Sequence, residues 1–180
     1  HTRYWRDWSS DVCSSDLSQF AALTLGSGGA AMVLARTSDR PDGHRYLGGV
    51  TLAASEHNRL CVGHTDRMDT DTKALLFAGI ELAGYTLERA RSEMGWNVDA
   101  LDELVIHQVS RVHTEGLAAA LGLDTAKILR VYEEFGNVGP AGVPFVLSKA
   151  AEAGRLHPGH RVALMGIGSG LNCAMAEVVW

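Results

Sequence analysis

The sequence predicts an α/β chain built on a mixed sheet with packed helices. Three observations carry that expectation. Short apolar runs flank glycine-rich stretches near both ends, a long central segment repeats apolar residues at steps of three and four, and strand-like and helix-like stretches alternate beyond it. With 180 residues, 46% of them hydrophobic and 21% charged, the chain can bury one ordinary core.

Residues 1–17 carry Trp5, Trp8 and the repeats Ser9-Ser10-Asp11 and Ser14-Ser15-Asp16, with neither helical nor strand period. They read as a non-native leader or translation artefact, with a native disordered tail as the alternative, and the fold is expected within 18–180. Phe20 to Leu25 and Ala31 to Leu34 flank Gly26-Ser27-Gly28-Gly29, which predicts a hairpin, and Tyr46 to Ala53 reads as a further strand. A helix is expected from a cap at Asp69 or Thr70, with Leu76, Ile80, Ala83, Leu87, Ala90 and Met94 as its apolar stripe and Gly95 as its stop. Leu101 to His107 then reads as a buried strand and Thr114 to Leu121 as a helix ended by Gly122. Ile128 to Tyr132 reads as a short strand or extended segment. Pro140 and Pro144 suit a first turn, so a helix is expected over Val143 to Ala153, stopping at Gly154. Arg161 to Ile167 and Cys173 to Val179 read as two final strands around Gly168-Ser169-Gly170.

Composition excludes several classes of function. A formal net charge of -5 argues against binding a phosphate backbone, since nucleic-acid partners collect a basic face, and no nucleic-acid partner is expected. No apolar run approaches the roughly 20 residues of a membrane span and no secretion-signal core is visible, so neither a membrane partner nor a site outside the cytoplasm is expected. Cys13, Cys61 and Cys173 form no close or even set, which predicts reduced thiols, and Cys173 reads as a small buried hydrophobe.

Two polar patches stand out against apolar surroundings. His107-Gln108 ends the run Leu104-Val105-Ile106, and Gly136-Asn137 precedes Val138-Gly139-Pro140. A neutral imidazole at a strand end and a carboxamide on a glycine-rich turn can both donate hydrogen bonds to a thioester oxygen as it becomes an enolate. The same residues have plainer readings: His107 as a core histidine satisfied by a backbone carbonyl, Asn137 as a turn asparagine in a left-handed conformation. The glycines of Gly166-Ile167-Gly168-Ser169-Gly170 allow close approach of backbone to a ligand, or simply a tight hairpin.

In order and separation, Val105-Ile106-His107-Gln108, Glu134 to Pro144, Gly166 to Gly170 and Leu25 to Leu34 resemble the C-terminal half of the beta-ketoacyl-ACP synthase III group within the thiolase superfamily. The resemblance covers about residues 18–180. It implies the C-terminal half of a thiolase-like layered fold and an acyltransferase that joins acyl thioesters by Claisen condensation. His107 and Asn137 would polarise the carbonyl of the extending thioester, and the backbone amide of Ser169 would serve the oxyanion hole. The attacking cysteine would belong to an N-terminal half that this sequence does not include, leaving the chain inactive alone. Coenzyme A or acyl-ACP thioesters are the implied substrates and a homodimer the implied assembly, with no cofactor expected. The stretches His107-Gln108-Val109-Ser110, Gly136-Asn137-Val138-Gly139 and Gly168-Ser169-Gly170-Leu171-Asn172 depart from the fatty-acid initiation pattern. They resemble the branch that joins two fatty acyl-CoA molecules head to head in long-chain olefin biosynthesis. A non-catalytic acyl-thioester-binding or scaffolding subunit is the alternative.

Two other groups invite a functional reading. His57, Cys61 and His64 have spacings that suit a metal but lack a fourth ligand, so no metal is expected. Lys149, Arg155, His157, His160 and Arg161 form a basic stretch that could meet a phosphate, against the plainer reading of a solvated helix end and turn.

Overall fold

The computed structural model describes residues 24–65 and 68–180. Its elements run β1 (Arg45–Ala53), β2 (Cys61–Gly63), β3 (Met68–Thr70), α1 (Thr72–Met94), β4 (Glu103–Ile106), α2 (Arg111–Leu121), α3 (Tyr132–Phe135), α4 (Gly142–Glu152), β5 (Arg161–Gly168) and β6 (Asn172–Val179). The main sheet has four strands in the order β1-β6-β5-β4; β2 and β3 pair separately. β4 and β5 are parallel, whereas β6 runs antiparallel to both β5 and β1, so the sheet is mixed as the sequence predicts.

Side-chain alternation along the strands divides the core in two. Leu104 and Ile106 of β4 join Ala163 and Met165 of β5, Cys173 and Met175 of β6 and Val50 of β1 under α1 and α2. Val105 and Val162 face the other way, against Val146, Leu147 and Ala150 of α4. The result is three layers: α1 with α2, the sheet, and α4. Cys173 lies in the first of these clusters at 2% exposure, and burial pushes its thiol pKa up, with a weaker opposing pull from the Thr86 hydroxyl. It is a packing residue, as expected.

Several boundaries differ from expectation for identifiable reasons. The cap of α1 is Asp71, which accepts from Ala74 N–H at 2.9 Å, because Asp69 and Thr70 are already committed to β3. Its buried face is wider than the expected stripe and takes in Gly79, Leu82 and Thr86, since the helix packs on both the sheet and α2. Gly95 stops it in a left-handed conformation, φ 66°. α2 begins at Arg111 rather than Thr114, since the Ser110 side chain accepts from His113 N–H at 3.3 Å and opens the helix earlier.

Ile128 to Tyr132 forms no strand. The Gln108 carboxamide takes over the hydrogen bonding a neighbouring strand would supply, donating to Leu129 O at 2.6 Å and accepting from Val131 N at 2.9 Å and Tyr132 N at 3.3 Å, and α3 begins at Tyr132. The expected hairpin around Gly26 to Gly29 is likewise absent among the described residues, and Ala31 to Leu34 is exposed and outside any strand. Of its first run, residues 20–23 lie outside the described residues. Leu25 instead makes an isolated parallel bridge with Asn137, and Gly26 N donates to Asn137 O at 2.8 Å. Here glycine serves close approach rather than a turn: a Cβ on Gly26 would stand 1.7 Å from Phe135 O.

Candidate active site

β4 delivers His107 to the C-terminal end of the parallel strand pair. The His107 backbone N–H continues the ladder by donating to Met165 O of β5 at 2.8 Å, so the residue is anchored before its side chain leaves the sheet. The ring is partly buried, and no backbone carbonyl among the described residues accepts a hydrogen bond from it, as one would for a plain core histidine. Burial lowers its pKa, which favours the neutral imidazole, a hydrogen-bond donor through one nitrogen only. Nδ1 lies against Gly142 at the start of α4; a Cβ at that position would be 2.7 Å from it.

Asn137 sits between α3 and the 3-10 turn Gly139–Ala141. It is held at three points. Its N–H donates to Thr24 O at 2.8 Å, its carbonyl accepts from Gly26 N at 2.8 Å, and its side-chain Oδ1 accepts from Gly139 N at 3.0 Å. The positive φ belongs to Gly136, φ 66° and ψ -161°, and Asn137 itself has negative φ. With Oδ1 fixed on the backbone, Nδ2 is left with its two hydrogens for another acceptor.

His107 and Asn137 are linked by the scaffold rather than by a direct hydrogen bond among the described residues. The 3-10 turn that holds Oδ1 of Asn137 leads within three residues to Gly142, against which the His107 ring rests. Gln108, 3% exposed, provides a second tie by gripping residues 129–132, the approach to α3 and hence to Asn137. Ser169 lies exposed in the β5–β6 turn beyond that same end of β5, and the turn is pinned by Asn172 Nδ2 donating to Ser169 O at 3.2 Å. No hydrogen bond connects Ser169 to the other two among the described residues.

Sequence reasoning passed over His113. Its ring stands edge-on to that of His107, with centroids 6.2 Å apart and an interplanar angle of 80°. Its Nδ1 is buried with no hydrogen-bond partner, and burial followed by the nearby His107 drives its pKa down to about 4. The signal was present as Ser110: a cap there places residue 113 in the first helical turn, folded back toward the strand end. Gly142 was passed over too, because its reason is a close approach that only coordinates reveal.

Residues 92–180 match the family described as 3-oxoacyl-[acyl-carrier-protein] synthase III C terminal. That region of the chain belongs to the synthase III family. Among relatives, the acyl-CoA:acyl-CoA alkyltransferase of Xanthomonas campestris pv. campestris is 56% identical over 173 residues, 96% of this chain and 51% of that protein. The protein of the same description from Shewanella oneidensis is 36% identical over 172 residues, 89% of this chain and 49% of the relative. Among solved structures, the synthase III of Xanthomonas oryzae pv. oryzae superposes with a TM-score of 0.89 at 57% identity, over 95% of this chain and 51% of that one. A cysteine-to-serine variant of Xanthomonas campestris OleA with bound lauric acid and lauroyl-CoA gives 0.90 at 55%, over 95% and 51%. The chain spans about half the length of the curated relatives it matches. Its fold is the thiolase-like α/β arrangement of these synthase III neighbours.

The remaining candidates are engaged elsewhere. His64 Nε2 meets Asp69 at 2.9 Å and Cys61 Sγ accepts from Thr70 Oγ1 at 3.4 Å; among the described residues no three His, Cys, Asp or Glu side chains gather as for a metal. The lysine and the two arginines of the basic stretch are also engaged. Arg155 grips Glu103 through two hydrogen bonds and Ala126 O through a third, Arg161 grips Glu177, and Lys149 meets Glu152 at 2.7 Å. These cations are paired, and the phosphate reading loses its support.

Proposed function

We propose that the protein containing this chain is an acyltransferase that condenses two acyl-CoA thioesters head to head, with this half supplying the groups that hold the enolate oxygen. The carrying observation is the pair of neutral donors, His107 and Asn137, tied to one turn. Asn137 is fixed through Oδ1 and His107 rests on Gly142, so both ring and carboxamide are oriented before substrate arrives. The name of the relative at 56% identity, an acyl-CoA:acyl-CoA alkyltransferase, supports the choice of a second acyl-CoA over malonyl-ACP.

In this reading one acyl group is carried as a thioester on a cysteine of the other half. A base outside this chain removes the α-proton of the second acyl-CoA, and the enolate oxygen accepts hydrogen bonds from the His107 imidazole and Asn137 Nδ2. The carbanion attacks the acyl-enzyme carbonyl, whose oxyanion is received by the Ser169 amide. Collapse of that intermediate expels the cysteine thiolate and leaves a β-ketoacyl-CoA. No cofactor is required by these steps. A homodimer working in the cytoplasm on acyl-CoA completes the proposal; no described helix is long and apolar enough to cross a membrane.

The test uses the full-length protein with a fatty acyl-CoA alone and with malonyl-ACP added. Release of coenzyme A and formation of a β-keto product from acyl-CoA alone are expected, and a product seen only with malonyl-ACP overturns the choice of extender. Absence of product in both cases, with acyl-CoA still bound, would favour the binding-subunit alternative.

A further inference from the structure

We propose that His113 is a positioning residue for His107, its ring bracing the His107 imidazole in the plane that a thioester oxygen requires. The proposal rests on the function given above, since it concerns how that donor is held.

Three observations on independent atoms support it. The two rings meet edge-on, 80° apart in plane with centroids 6.2 Å apart, an arrangement that favours aromatic contact and fixes relative tilt. His113 occupies the first turn of α2, which Ser110 caps through the His113 N–H at 3.3 Å, so the ring is carried by a helix rather than a loop. Finally, the buried Nδ1 of His113 has no partner, a cost that a leucine or phenylalanine in the same space would avoid. An imidazole kept there at that cost lies against the one side chain nearby that this proposal gives a chemical task.

The electrostatics are consistent with bracing rather than proton exchange. Burial and then His107 lower the pKa of His113 to about 4, so its imidazole is neutral at neutral pH. The charged residues of its own helix, Arg111 and Glu115, bear on Tyr132, and burial is the cause acting on His107. A neutral neighbour can orient His107 without competing for its proton.

The experiment compares His113→Ala and His113→Phe in the full-length protein. Removing the ring is expected to lower kcat for acyl-CoA condensation by about 10-fold to 100-fold with KM within about twofold, whereas phenylalanine, which keeps an edge, stays within about threefold of the parent. Side-chain NMR of labelled histidine supplies a readout independent of turnover: in His113→Ala the His107 resonance should titrate closer to 6.5 as water enters, and in His113→Phe it should not. Unchanged kcat and unchanged titration in His113→Ala overturn the proposal, as does an equal loss in both variants. A parent without condensing activity whose His107 still responds in the alanine variant sinks the function and leaves the bracing intact.

Discussion

Where β4 and β5 begin, each carboxylate has found a partner; where they finish, two imidazoles have found none among the described residues. At the first end, Glu177 at 1% exposure accepts from Arg161 Nε at 2.6 Å, Arg161 Nη2 at 3.1 Å and Trp96 Nε1 at 2.8 Å. Glu103 is held by two guanidinium nitrogens of Arg155, Nε and Nη2, and Asp102 accepts from Arg161 N–H at 2.7 Å. At the far end His107 and His113 make no side-chain hydrogen bond within the described residues. Open α/β sheets bind their ligands outside the carboxyl ends of their strands, and the unpartnered donors lie at that end. The contrast lies in the carboxylates and cations that hold the fold at one end against the unpartnered imidazoles at the other, with His160 Nδ1, buried beside the start of β5, the exception at the paired end.

The largest effect expected breaks the paired end. Arg161→Ala leaves the Glu177 carboxylate buried with only the indole to meet it, and removing one partner of a buried pair typically costs about 3 to 5 kcal/mol. Urea denaturation should show that loss in the midpoint; a shift below about 1 kcal/mol would mean water reaches Glu177 and the two ends are less different than they look.

At the open end the corresponding change should spare stability and remove activity. Asn137→Ala deletes one donor to the enolate oxygen, for which kcat should fall by about 100-fold to 1000-fold in the full-length protein. Its Oδ1 also holds Gly139 N–H, so a small stability loss of about 1 kcal/mol should accompany it. Equal loss of folding and turnover would mark Asn137 as a turn residue and nothing more.

Gln108 lies on the boundary between the two regimes, adjacent to His107 in sequence yet bonded through both its oxygen and its nitrogen. Gln108→Leu strips partners from Leu129 O and Val131 N in a buried setting, and about 2 kcal/mol of destabilisation is expected in the same denaturation assay. Because the grip leads on to α3 and Asn137, kcat should fall as well, by less than in Asn137→Ala.

What the sequence disclosed divides along the same line. Alternating apolar strands and the Gly95 and Gly122 stops were legible because they depend on local periodicity and on a single backbone conformation. His107 and Asn137 could be singled out because polar residues at the end of an apolar run are locally anomalous. The Ile128 segment forms no strand, only the extended alternative, and the Gly26 stretch forms no hairpin, for one reason: their hydrogen bonds go to partners far along the chain, Gln108 in one case and Asn137 in the other. His113 and Gly142 matter through a ring contact and a missing Cβ, neither of which leaves a spacing pattern. The paired carboxylates at the other end were equally hidden; Arg155 and Arg161 read as a surface stretch because their partners stand 52 and 16 residues away.

Acid should also discriminate between the two ends, with an effect close in size to that of Gln108→Leu. His113 takes up its proton at about 4 in the folded chain against 6.5 for an ordinary histidine, and His107 is lowered in the same direction. Between those values the unfolded chain binds protons that the folded chain refuses. The associated stability is therefore present above pH 6.5 and is lost as pH falls toward about 4. For His113 alone the difference between pH 7 and pH 5 amounts to roughly 2 kcal/mol, with His107 adding to it. Replacing His113 with phenylalanine should flatten that dependence while leaving stability at pH 7 unchanged or improved, because the unpartnered Nδ1 goes with the ring. If the variant keeps the full acid sensitivity of the parent, the buried protons belong to the carboxylate end, and the imidazole end is better solvated than its geometry indicates.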